Sequence, residues 1–278
     1  MRRLGKSLGT NGIKIALLAV TVPSIRVCTR HFTYTDRMQF IVVDTADARG
    51  SVALCRDAEV ACVEAHSSDE DYSSWLLPAV TNILAGSSLS LAELYGYAVC
   101  AGPGSFTGLR VGLTTVKAWA EIYPRPIAAI SRLEAFTLSS SPVQQDFLAA
   151  YIDAQRTQVF AALYKRYDHG FQLLGEESVI ALDQFVERVA NESSGQTVRW
   201  ISPDIQLIES LPQWRSLAGS GHSLEHVAPP FAEHLARLAH QKFRQGATTD
   251  ALSLDANYVR RSDAEIFWKS ASGAAARP

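Results

Sequence analysis

Cysteine is scarce in this 278-residue sequence, long apolar runs are missing, and so are the spaced residue sets that usually announce catalysis. The four cysteines, Cys28, Cys55, Cys62 and Cys100, contain no C-x-x-C pair and no regular framework. That argues against disulfides or a zinc site and for reduced thiols in a cytoplasmic protein. Cys100 stands in the apolar run Tyr97-Ala98-Val99-Cys100, where a buried, inert thiol is expected. The apolar stretch Ile13 to Ile25 is broken by Lys14 and Pro23, is too short to span a bilayer, and is followed by no small-x-small cleavage site. No Ser–His–Asp or Cys–His set stands in motif context. Internal repeats and low-complexity tracts are absent before the Ala-rich end after Ser270.

What is present is an ordinary globular composition, 47% apolar and 19% charged, in a chain long enough for one large or two medium domains. The charge is uneven. Residues 1–37 hold seven of the 26 basic residues and one of the 28 acidic ones, which leaves the remainder near −8. An acidic body is a poor autonomous tRNA binder, because lysine and arginine on phosphates supply most non-specific affinity. Met38 directly precedes Gln39-Phe40-Ile41-Val42-Val43-Asp44, where an ordered first strand would begin. The basic leader 1–37 is therefore read as disordered and dispensable, with Met38 as the true start.

Periodicity predicts three short strands at Phe40–Val43, Gly50–Cys55 and Glu59–Glu64, and a helix over Tyr72–Leu84 containing Pro78. A buried strand at Leu94–Ala101 leads into a Gly/Pro turn, a capping Ser or Thr, and a helix with Leu109, Leu113, Val116 and Ala120 on one face. Residues 126–138 make a strand and a helix. Ser139–Gln145 reads as a linker, and Phe147–Ile152 pairs with Gln158–Tyr164 as a hairpin. A helix at 182–190, a strand near Val198–Ile201 and a helix at Phe231–Gln245 follow.

Three local patterns carry possible chemistry. Gly102-Pro103-Gly104-Ser105-Phe106-Thr107-Gly108 is no Walker A loop, for no Lys-Ser/Thr follows, and its G-x-G-x-x-x-G spacing is one residue too long for a dinucleotide fingerprint. With Asp44, Thr45, Gly102, Gly104 and Ser105 nearby, such a helix N-terminus can hold an anion. The preferred reading is packing: Gly104, Gly108 and Gly112 repeat every four residues, a ridge that lets another helix approach closely. Asp44 is read as a strand-end residue making turn hydrogen bonds rather than as a magnesium-organising acid, since Ala46 lacks glycine's access to positive φ. His222-Ser223-Leu224-Glu225-His226 matches the H-x-x-E-H pattern of inverted zinc proteases, but glycines before it and Pro229-Pro230 after it leave barely two helical turns.

The stretch AGPGSFTGLRVGL resembles the signature of the TsaB (YeaZ) family. Further matches follow in order: Ile41-Val42-Val43-Asp44-Thr45, Ser131-Arg132-Leu133-Glu134-Ala135, Tyr151-Ile152-Asp153-Ala154 and Tyr258-Val259-Arg260-Arg261-Ser262-Asp263-Ala264-Glu265. The resemblance implies an α/β fold of the actin, sugar-kinase and Hsp70 type, with a first lobe at 38–145, a second at 146–267 and a frayed tail at 268–278. It implies a non-catalytic, cytoplasmic subunit for threonylcarbamoylation of adenosine 37 of tRNA. That subunit would bind and stabilise a catalytic paralogue, TsaD, with a small ATPase, TsaE, joining, a homodimer possible through the same face, and tRNA met only through the complex. No cofactor is expected in the isolated chain, ATP being used by the assembly. The partner face is expected at Leu76, Val80, Ile83, Gly104, Gly108, Leu109, Gly112, Leu113 and Val116. The sequence departs from the family at Tyr72, often His, at Gln155, often Arg, and at Thr157, often Gly. It also has Ser202-Pro203-Asp204 where a glycine loop is expected. An autonomous kinase or carbamoyltransferase is the alternative, and a zinc peptidase a remote third.

Overall fold

The computed structural model describes residues 37–67, 70–138, 145–168, 170–257 and 259. The leader up to residue 36, the expected tail, and most of the C-terminal motif around Tyr258–Glu265 lie outside the described residues.

The first half opens as an antiparallel meander, β1 (Gln39–Asp44), β2 (Ser51–Arg56) and β3 (Glu59–Ala65). Helix α1 (Tyr72–Gly86), a 3-10 turn at Leu91–Glu93, β4 (Gly96–Gly102), α2 (Phe106–Ile122), β5 (Ile127–Ser131) and α3 (Arg132–Phe136) follow. Because β4 pairs parallel with β1 and β5 parallel with β4, the sheet order is β3-β2-β1-β4-β5. The second half runs β6 (Phe147–Asp153), β7 (Gln158–Tyr167), β8 (Gly170–Ala181), α4 (Leu182–Glu192), β9 (Val198–Ser202), α5 (Gln206–Glu209), α6 (Trp214–Gly219), β10 (Ser223–His226) and α7 (Ala232–Gln245). Its sheet, β8-β7-β6-β9-β10, repeats the first in strand order and in every parallel or antiparallel sense. The repeat that the sequence does not show is thus one of topology, and two α/β lobes, each built on a five-stranded mixed sheet, are present as expected.

Strand alternation builds three cores. On β1, Ile41 and Val43 face α1 and α2, while Phe40 and Val42 face inward to a central layer shared with α3, α7 and the second sheet. The outer face of the second sheet packs on α4 and the short helices after β9. Helix α7 falls in the segment expected for the second lobe, yet it packs on β1, β2, β3, β4 and β5 of the first. After it the chain stays with that lobe: Ile127 and Thr249 exchange backbone hydrogen bonds, and the Asn257 N–H donates to the Ala101 carbonyl at 2.7 Å.

Helix α2 starts where the Gly/Pro turn predicts, with the Ser105 hydroxyl accepting from the Gly108 N–H. Pro78 lies well inside α1 on its exposed side. No helix among the described residues is long and apolar enough to cross a membrane.

Candidate functional site: a cleft between the lobes

In open α/β sheets the carboxyl ends of parallel strands leave a crevice where the strand order reverses. Here β1, β4 and β6 end at one such place, in Asp44, Gly102 and Asp153, and the loops beyond them line a cavity of about 370 Å³. Both first strands finish alike. The Asp44 carboxylate accepts from the Ala46 N–H at 3.0 Å, and Asp153 accepts from the Gln155 N–H at 2.7 Å, each two residues on. Asp153 is thereby the second lobe's counterpart of Asp44. The turn hydrogen bond expected of Asp44 is present.

Asp44 also has a partner that local sequence does not reveal. The fully buried Arg132, first residue of α3, donates through Nη2 to both Asp44 oxygens at 2.6 and 2.8 Å and through Nη1 to Asp47 at 2.6 Å. Asp47 is bound as well by Arg49, whose Nη1 continues to Asp204 at 2.8 Å in the second lobe. Asp204 in turn accepts from the Asp153 N–H at 2.9 Å. The result is an alternating chain, Asp44–Arg132–Asp47–Arg49–Asp204, that ties one lobe to the other. Burial works against the Asp47 charge, but the Arg132 and Arg49 guanidiniums outweigh it and hold the carboxyl well below the usual range. Burial likewise opposes the Arg132 charge, which Asp44 and Asp47 more than restore. Both guanidiniums lie over the Phe231 ring, at 5.0 and 5.7 Å from its centroid.

Tyr72 locks the same turn by donating to the Asp47 carbonyl and accepting from the Gly50 N–H. Burial and the neighbouring Asp44 push its phenol up. Asp204, from the segment lacking the expected glycine loop, is thus a structural anchor. Glu177 of β8 makes a second tie between lobes, accepting from Ser131, from Asn257 at 2.6 Å and from Tyr164 of its own sheet.

The glycine residues are placed differently from expectation. A Cβ at Gly104 would lie 2.2 Å from the Ala46 carbonyl oxygen, at Gly108 2.0 Å from that of Thr45, and at Gly112 2.5 Å from the Thr45 hydroxyl. The ridge therefore seats α2 on the loop after β1 of its own lobe, and Thr45 Oγ1 donates to the Gly108 carbonyl at 2.7 Å to fasten it. Leu76, Val80, Ile83, Leu109, Leu113 and Val116 fill the core between the helices and the first sheet. None of these six, nor Gly108 or Gly112, presents its side to a partner. A stripe of small or apolar residues marks a contact but does not say with what, and the chain's own strand claims this one. Gly102 has φ +129 and the Asn257 carbonyl against it, so only glycine fits there. Ser105 is the helix cap, partly committed to Gly108.

The H-x-x-E-H segment lies on strand β10 and the turn before it, not on a helix. His222 Nδ1 faces the Val198 N–H and the Trp200 indole N–H, and Glu225 pairs with Arg199. No group of metal-ligating side chains is found among the described residues. Cys55 and Cys100 are buried, and burial pushes both thiols far up, as an inert role requires.

The cleft's lining and immediate anchors bring together Asp44, Asp47, Asp153 and Asp204 against two arginines already bridged to carboxylates. Such a site is ill suited to a polyphosphate.

Comparison with known proteins adds four findings. The family model described as "TsaD: tRNA N6-adenosine threonylcarbamoyltransferase" matches residues 64–268. A Bacillus subtilis (strain 168) protein, "tRNA threonylcarbamoyladenosine biosynthesis protein TsaB", is 29% identical over 238 residues, 83% of this chain and 98% of the relative. By contrast, the tRNA N6-adenosine threonylcarbamoyltransferase of Methylocapsa acidiphila is 36% identical over 85 residues, only 24% of its length. Among solved structures, a protein described as similar to peptidase YEAZ from Pseudomonas aeruginosa superposes with TM-score 0.65 at 25% identity, covering 80% of this chain and all of the other.

Proposed function

The chain belongs to the family of the threonylcarbamoyltransferase TsaD, as a member of TsaB (YeaZ) type, and on that premise we propose that it is a non-catalytic subunit in tRNA threonylcarbamoyladenosine formation. The observation that carries this reading is the extent of the matches. The chain aligns with essentially the whole of a TsaB and with about a quarter of a TsaD enzyme. The cleft supports it: an acid at the end of β1 whose two oxygens both accept from the buried Arg132 guanidinium already has its counter-charge and does not call for a metal-bound nucleotide. The same feature weighs against an autonomous kinase or carbamoyltransferase.

In this reading the protein works in the cytoplasm by binding a TsaD-type paralogue, with a TsaE-type ATPase joining, ATP used by the assembly and tRNA met through it. Since the inner sides of α1 and α2 are occupied, the partner surface is their outer side. Leu77, 54% exposed, and Pro78 stand there on α1, and Arg110, Thr114 and Ile122 on α2. A second copy would compete for the same face.

The test is co-expression with the host's TsaD, followed by size-exclusion chromatography. Wild-type protein is expected to co-elute, and Leu77→Glu together with Thr114→Arg to melt normally but elute alone. No complex with wild-type protein, or an undiminished one with the double variant, would overturn the partner or the surface respectively.

A further inference from the structure

Asp44 and Asp47 point their carboxylates at one buried place between the lobes, and the group standing there is the Arg132 guanidinium. Arg132 is 0% exposed, and so is Asp44. Every oxygen of the pair is engaged. Asp44 Oδ1 takes Arg132 and the Ala46 N–H, and its Oδ2 takes Arg132. Asp47 Oδ2 takes Arg132 and Arg49, and its Oδ1 the Arg49 N–H. We propose that Arg132 is a built-in cation that decides what the cleft accepts: it fills the place a divalent metal ion would take between Asp44 and Asp47, and so bars metal ions and any ligand that must bring one.

The argument is one of charge and donor chemistry. Hard divalent cations such as Mg²⁺, Ca²⁺ and Mn²⁺ are held by clustered carboxylate oxygens. A fully buried carboxylate such as Asp44, with the half-buried Asp47 beside it, is strongly unfavourable without a counter-charge and calls for a proton or a cation. Arg132 meets that need covalently, from the start of α3, a different element from the β1 end that carries both acids. Its removal leaves the carboxylates in place with a guanidinium-sized space between them, and Arg49 remains to hold Asp47 to Asp204. This assignment goes beyond the partner reading and stands or falls separately from it.

The experiment uses the full chain, with Mn²⁺ as probe, read by electron paramagnetic resonance of free Mn²⁺ and by thermal melting. Wild-type protein and Arg132→Lys are expected to show a melting temperature indifferent to Mn²⁺. Arg132→Ala should melt lower, bind one Mn²⁺ saturably, and recover much of its lost melting temperature as Mn²⁺ is added. Adding Asp44→Asn to Arg132→Ala should abolish both effects, which separates this place from acidic groups elsewhere. If Arg132→Ala does not fold unaided, refolding with and without Ca²⁺ takes its place, and folded protein recovered only with the cation supports the assignment. An Arg132→Ala protein indifferent to cations overturns it, as does a failure to refold under either condition. Wild-type protein that binds Mn²⁺ in a manner lost on Asp44→Asn overturns it equally.

Discussion

Replacing Gly108 by alanine is the sharpest test of where the glycine ridge faces. The added Cβ would stand 2.0 Å from the Thr45 carbonyl oxygen, a backbone atom that no rotamer change can remove. Helix and loop must part by about 1.4 Å to reach ordinary contact. That movement breaks the buried hydrogen bond from Thr45 Oγ1 to the Gly108 carbonyl, now 2.7 Å, and strains the 2.6 Å bond from the Ser105 N–H to the Ala46 carbonyl. Overpacking costs about 1–3 kcal/mol and the lost hydrogen bond about 1 kcal/mol. Alanine's better helix propensity returns about 1 kcal/mol. The net is a loss of about 1–3 kcal/mol, or roughly 2–10 °C in melting temperature for a chain of this size. Circular dichroism melts and urea titration of the purified variant measure it. Gly86→Ala is the control: nothing lies within 4 Å of a Cβ at that position at the end of α1, so the variant should melt at or above wild type. A Gly108→Ala protein that melts like wild type yet fails to bind its partner would refute this packing and restore the ridge to an intermolecular role.

Residues Gln155, Arg156 and Thr157 all have positive φ, between 55 and 63°, in the β6–β7 turn. Thr157→Gly should therefore stabilise by about 0.5–1 kcal/mol, relief of a β-branched residue in the left-handed region exceeding glycine's entropy cost; a lower melting temperature would contradict it. A double-mutant cycle on Arg49→Ala and Asp204→Asn should return a coupling of about 1 kcal/mol, at the upper end for an exposed pair because Asp204 is buried while Arg49 is only half-buried. Additive effects would show that the chain of charges does not act as a unit. The depressed Asp47 carboxyl contributes stability that is present above the ordinary value of about 4 and is lost as pH falls through its lowered value. Asp47→Asn should accordingly lower the melting temperature at neutral pH and converge with wild type in strong acid. Glu177 has the opposite sign: burial raises its pKa, so its contribution is fully present below the ordinary glutamate value and is lost as pH rises through the raised one. Glu177→Gln should then flatten the fall in stability that begins as pH rises past the ordinary glutamate value of about 4.

Elements held together by near neighbours were legible in the sequence. The β1–β3 meander, the Ser105-capped start of α2 and the β6–β7 hairpin each carry a period or a turn residue that local physics reads directly. Strand β8, Gly170–Ala181, carries no such mark, for its mixed residues GFQLLGEESVIA alternate poorly and it is ordered by pairing with β7. The charged chain was hidden for a different reason. Its links join residues 85, 88 and 155 positions apart, and nothing near Arg132 in sequence says that it turns toward β1. The spacing of Gly104, Gly108 and Gly112 was visible, but spacing fixes a close approach without naming the approaching surface. The second lobe's Asp153 stood in the matched run Tyr151-Ile152-Asp153-Ala154, but only the repeated strand order and the shared turn hydrogen bond show it as the counterpart of Asp44.

Helix α7 has a consequence for how the chain comes into being. Phe40, Val42 and Ile130 of the first sheet are covered in part by Leu235, Ala236, Ala239 and Phe243, residues made more than a hundred positions after that sheet is complete. As the polypeptide leaves the ribosome, which releases domains in order from the amino terminus, the first sheet must wait with one greasy side open while the whole second sheet is synthesised. The newborn protein is most exposed to aggregation in that interval, and a message truncated before residue 232 would yield a product fixed in it.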